Sequence, residues 1–76
     1  MHHSGRVTSE LQKTVGRRLR ERRRELGLSQ EAMAEQLGYH RTFLGSVERG
    51  ERNLTLASVE QLATSLGVPA LDLLRD

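Results

Sequence analysis

The side chains able to act as acid, base, nucleophile or metal ligand are scattered along this chain rather than grouped. His2, His3 and His40 lack the spacing of a ligand set. No serine stands with a base and an orienting partner in a recognisable arrangement. The acidic residues fall in first turns of helical runs or beside arginines, and no two separate into acid and base. With no cysteine, disulfides, iron–sulfur clusters and four-cysteine zinc sites are excluded. These patterns point away from an enzyme and call for no metal and no cofactor. What the chain offers is cationic chemistry. Arg6, Lys13, Arg17, Arg18, Arg20, Arg22, Arg23 and Arg24 crowd the first third against Glu10 and Glu21, although the net charge is only +2. Such an array suits a polyanionic partner; the same run also reads as a solvated helix face.

The elements that must position these groups follow from length and periodicity. A chain of 76 residues holds one domain, whose small core stabilises a fold only marginally, so help from a second copy is expected. No apolar run approaches the roughly 20 residues that span a bilayer, and the N-terminus lacks the apolar stretch of a signal peptide. A soluble, cytoplasmic protein without a membrane partner is expected. Residues 1–8, with His2 and His3, read as a flexible segment or tag remnant, which leaves 9–76 as the folded domain.

Gly27, Gly38, Gly50 and Gly67 each follow an amphipathic run, where a helix end needs a residue tolerant of positive φ. The pattern predicts four helices and a short fifth, an all-α domain. The first, over about 9–26, sets Leu11, Val15, Leu19 and Leu26 on one face. Ser29 offers a cap to the second, about 30–37, which buries Met33 and Leu37 and carries Glu31 in its first turn. The third, about 41–49, holds Leu44 and Val47. Thr55 caps the fourth, where Leu56, Val59, Leu62, Ala63 and Leu66 recur at intervals of three and four. Pro69 suits the start of the fifth, with Leu71, Leu73 and Leu74.

The strongest constellation runs from Gln30 to Arg49. Two helices crossing steeply need a small residue inside the first, a glycine in the turn and apolar anchors in the second. Ala34, Gly38, Leu44 and Val47 fill those places. On these residues the chain, from about Val15 to Leu74, resembles the phage repressor and Cro type of helix-turn-helix domain, the XRE family. That resemblance implies the compact five-helix, lambda-repressor-like fold. The strings GLSQEAMAEQLG and VERGERN carry it, and HRTFLGSVERGERNLT is similar to the controller proteins of restriction–modification systems.

The resemblance implies that the third helix enters the major groove of double-stranded DNA. It makes Arg41, Thr42 and Ser46 base-reading positions, with His40 at the helix entrance, and puts Gln30, Arg49, Arg52 and Phe43 along the DNA backbone. The chemistry fits: arginine can bond guanine O6 and N7 together, threonine can set its methyl on thymine, and serine can donate or accept. Gly45 lacks a side chain where the helix would meet the groove wall. His40 stands where relatives carry a capping Ser, Thr or Asp, and histidine caps poorly. Phe43 replaces the tyrosine of many controller proteins; it leans on a thymine methyl or sugar edge, or packs against the domain, with Tyr39 in the turn. These two aromatics offer little to stack on unpaired bases. The analogy pairs Glu48 with Arg23 as a structural ion pair, and leaves Arg17, Arg18 and Arg20 to long-range attraction.

The last two helices carry more leucine and valine than one small core can face. Leu66, Val68, Leu71 and Leu74 are therefore expected to form a dimer interface, setting two recognition helices one DNA turn, about 34 Å, apart on a palindromic operator. The expected function is sequence-specific transcriptional regulation as a homodimer, with no small-molecule effector. The alternatives are a restriction–modification controller, an autoregulating antitoxin, or a protein-interaction module using the last two helices.

Overall fold

The computed structural model describes residues 7–76 as five helices and no extended sheet: α1 (Ser9–Glu25), α2 (Gln30–Leu37), α3 (Arg41–Glu48), α4 (Leu56–Leu66) and α5 (Leu71–Leu74). His2, His3 and the rest of 1–6 lie outside the described residues. Three helices begin at a hydroxyl that satisfies a backbone N–H left without an intrahelical partner. Thr8 Oγ1 accepts from Leu11 N–H at 3.2 Å, Ser29 Oγ from Ala32 at 3.0 Å and Thr55 Oγ1 from Ser58 at 3.0 Å. α3 and the short α5 are the exceptions, since His40 and Ala70 at their N-caps make no such bond. α2 and α4 end at Gly38 and Gly67, whose φ of 76° and 73° lies in the left-handed region that a Cβ disfavours.

α1 packs against α3 and α5, α2 against α3, and α4 against α5. Val15, Leu19, Leu44, Val59 and Leu62 are wholly shielded from solvent, with Met33, Val47, Leu54 and Leu73 nearly so. The approach of α1 to α3 depends on Gly16. A Cβ there would fall inside van der Waals contact of the Val47 carbonyl oxygen and 2.7 Å from that of Glu48. Only glycine lets the two backbones meet.

Two residues assigned to the N-terminal segment belong to the folded unit. Val7 is buried and its N–H donates to the Leu54 carbonyl at 2.9 Å, while Thr8 caps α1. The buried Gln12 completes this anchor, its Oε1 accepting from Leu54 N–H at 3.1 Å. Both hydrogen-bonding groups of Leu54 are thereby tied down beside α1.

Some expected core positions face out. Leu26 is 46% exposed, because the inward place on the last turn of α1 is taken by Arg23. Leu56 is 52% exposed; as the first residue of α4 its side chain leans back past the helix end, away from the core. The apolar surplus near the C-terminus is also smaller than the sequence suggests. Leu66 and Leu73 close the core of the domain itself, Val68 and Leu74 lie half-buried against it, and Leu71 alone of this group stands open at 62%.

Candidate nucleic-acid interface

The first turn of α3 presents Arg41 and Thr42 to solvent, with His40 exposed just before them. Arg41 makes no ion pair among the described residues. The opposite face of the helix is fixed by Leu44 and Val47 in the core and by Glu48, whose side chain is fully buried. Arg23 grips that carboxylate with two prongs, Nε to Oε2 at 2.7 Å and Nη2 to Oε1 at 3.0 Å. Its Nη1 also donates to the Leu28 carbonyl at 2.9 Å, so one guanidinium ties together α1, the loop before α2 and α3.

Burial raises the Glu48 pKa more than any other single influence lowers it. Hydrogen bonds from Arg23 and Gln30, the charge of Arg23 and a longer bond from Arg20 together outweigh burial and hold the carboxyl below the usual range. The reciprocal bond raises the Arg23 pKa against the opposing effect of burial. The pair is ionised at neutral pH and acts as a strut.

Gln30, expected on the DNA backbone, turns its carboxamide toward this strut and donates to Glu48 Oε1 at 3.1 Å. One amide hydrogen and the backbone N–H at the start of α2 remain for another acceptor. Gly45 is buried, not set against open space: a Cβ there would lie 3.2 Å from Arg49 Nη1 and 3.6 Å from Gln30 Oε1. Its lack of a side chain makes room for these two residues. The Ser46 hydroxyl donates to the Phe43 carbonyl at 2.7 Å. Its proton is committed, which leaves Ser46 as an acceptor toward anything outside.

Phe43 is half-buried against the core and stacks on Tyr39, with ring centroids 5.1 Å apart. The guanidinium of Arg52 lies 5.0 Å from the centroid of the Phe43 ring. Arg49 pairs with Glu51 at 2.9 Å, both side chains being more than half exposed, so the contact is weak and exchangeable.

The crowd of arginines on α1 proves mostly engaged within the fold. Arg17 meets Asp76; Arg18 donates to Glu21 and, at 2.8 Å, to the Asp72 carbonyl of α5; Arg22 meets Glu25; Arg20 reaches Glu48. Arg18 and Arg20 are thus better described as staples than as a free field, whereas the exposed Arg17–Asp76 pair is as weak as that of Arg49. Sequence reasoning missed Gln12 and Gly16. A glycine inside an amphipathic helix costs about 1 kcal/mol against alanine, and that anomaly was the available signal for Gly16. Gln12 gave none, because its partner is the backbone of a residue 42 positions on.

Residues 19–73 match the helix-turn-helix family model HTH_3. Control protein C.SmaI of Serratia marcescens is 44% identical over 64 residues, which is 82% of this chain and 76% of that protein. Among solved structures, the restriction–modification controller C.AhdI from Aeromonas hydrophila superposes with a TM-score of 0.70 at 44% identity, covering 82% of this chain and 94% of that one. The DNA-binding domain of BldD reaches 0.80 at 35% identity, covering 91% and 100%.

Proposed function

This chain belongs to the HTH_3 helix-turn-helix family of XRE-type DNA-binding transcriptional regulators, and we propose that it acts as a sequence-specific homodimer on a palindromic operator. The observation that carries the proposal is the first turn of α3, where Arg41 and Thr42 project from a helix immobilised from behind by the buried Arg23–Glu48 strut. A helix braced in this way offers its side chains from a fixed backbone, so that binding has only the side chains left to order.

In this reading Arg41 bonds bidentately to a guanine, Thr42 meets a thymine methyl, and Ser46 accepts from an exocyclic amine. His40 stands at the groove entrance. Arg49, Arg52 and the free amide hydrogen of Gln30 meet phosphates, which supply affinity that falls with salt. Dimerisation uses the exposed Leu71 with the half-buried Val68 and Leu74; Leu66 supports this face from within. Such a regulator works in the cytoplasm, by occluding or recruiting at a promoter. The likeness to control proteins C.SmaI and C.AhdI favours control of a restriction–modification operon as its particular role. Its relatives are named as regulators and not as enzymes.

Selection of bound duplexes from random DNA tests the proposal directly. The expected product is an inverted repeat whose half-sites lie about one helical turn apart. Recovery of no common sequence, or of single half-sites by a protein that sediments as a monomer at tens of micromolar, would overturn it.

A further inference from the structure

We infer that Phe43 is a positioning residue for Arg52, holding that cation at the edge of α3 before any phosphate arrives. The inference rests on the DNA-binding reading above. Three independent restraints converge on Arg52. Two residues beyond it, Leu54 is buried and its N–H and carbonyl are both bonded, to Gln12 and Val7. Two residues before it, Gly50 sits so close to Lys13 that a Cβ would lie 2.9 Å from Lys13 Cγ and 3.2 Å from its Cα. The loop is therefore clamped to α1 on both sides of the arginine. The third restraint is the Phe43 ring, 5.0 Å from the guanidinium carbon, itself steadied by the stack on Tyr39 and by the core behind it.

Elsewhere on this part of the surface the exposed cations are held differently. Arg49 is engaged by Glu51, and Arg41 has no partner at all among the described residues. Among the described residues Arg52 has no carboxylate to release; its partner is a ring face, which attracts the cation without neutralising its charge. The guanidinium edge, with its N–H groups, stays available to an anion while the face is occupied. Phe43 thus serves the interface through Arg52 and not by touching DNA itself. A freely rotating arginine would have to be ordered on binding; this one is ordered beforehand.

The test uses the full chain, the duplex recovered by the selection above, and a scrambled duplex of the same length. In the free protein, the Arg52 side-chain protons should resonate upfield of ordinary arginine positions through the ring current of Phe43, and F43L should return them. F43L should weaken binding roughly two- to fivefold, the size of one exposed cation–π contact, and F43W, which keeps a ring, should restore most of it. R52A should lower the slope of binding against salt by about one ion. On the R52A background F43L should cost nothing further. Unshifted Arg52 resonances in the wild type would overturn the inference without any variant. A full F43L loss persisting in R52A would overturn it too, since the ring would then be acting on DNA directly. If the wild type shows no preference between the two duplexes, the sequence-specific reading fails, while the resonance test of Phe43 and Arg52 still stands or falls by itself.

Discussion

The Glu48 carboxylate at the end of α3 is completely buried and receives two hydrogen bonds from Arg23, 25 residues earlier on α1. The buried carboxylate would not stay charged without that partner, and together the two groups lock α3 to the longest helix of the domain. The strut also has a pH signature.

Because the folded-state pKa of Glu48 is lowered, its stabilising contribution is complete above the unfolded value of about 4.3 and is lost as pH falls through the lower folded value. E48Q should destabilise the domain by about 3 kcal/mol at pH 7, near the low end for breaking a buried pair, since glutamine keeps one acceptor oxygen. Urea denaturation across pH should show a constant gap between wild type and E48Q from pH 7 to about 5, narrowing below about 4.3. A gap that widened in acid would contradict the pairing.

Two helical glycines should answer oppositely to alanine. At Gly16 the added methyl meets the backbones of Val47 and Glu48, which cannot yield without separating α1 from α3, so G16A should cost about 2 kcal/mol or more. At Gly45 it meets only the ends of the Arg49 and Gln30 side chains, and the gain in helix propensity, about 1 kcal/mol, should leave G45A neutral or more stable. Thermal unfolding of the two variants side by side decides the matter.

R41A should lose about 1–3 kcal/mol of affinity for the selected operator and little for scrambled DNA. S46A should relax preference at one base pair presenting an amine, adenine N6 or cytosine N4, because the Ser46 proton is already given to the Phe43 carbonyl. Competition binding against single-substituted operators reads both. An equal loss on all sequences would make either residue a backbone contact.

His40 leaves α3 as the helix whose N-cap residue supplies neither a hydroxyl bond nor, as at α5, a preceding helical residue. H40S should supply the missing acceptor and raise stability by about 1 kcal/mol, visible as a higher melting temperature. A lower melting temperature would show that the imidazole does structural work not seen in its hydrogen bonding.

Much of the fold can be read from short-range chemistry. Ser29, Thr55, Gly38 and Gly67 bound their helices through bonds to atoms at most five residues away, so the sequence alone places those ends. The spacing of Ala34, Gly38, Leu44 and Val47 likewise specifies a steep crossing, because each residue's size acts within the motif itself. Periodicity is less informative at helix ends. It put Leu26 and Leu56 in the core, where the fold leaves both outside, since a repeat of three and four cannot say where the facing element stops.

The sequence by itself determined the helix-turn-helix and the polar character of the residues at the head of α3. The tertiary structure alone decided what those residues are free to do. Arg18, Arg20 and Arg23 of α1 were drawn to the Asp72 carbonyl and to Glu48, so part of an apparently open cationic run became internal bracing, while Arg17 and Arg22 hold only exposed, weak pairs. Gln30 was drawn onto Glu48, Ser46 spent its proton on Phe43, and Phe43 came to lie beneath Arg52. The reason is common to all of them. A side chain's chemistry is set by its type, but its availability is set by the nearest competing partner, and most of those partners come from another helix or from the far end of the chain.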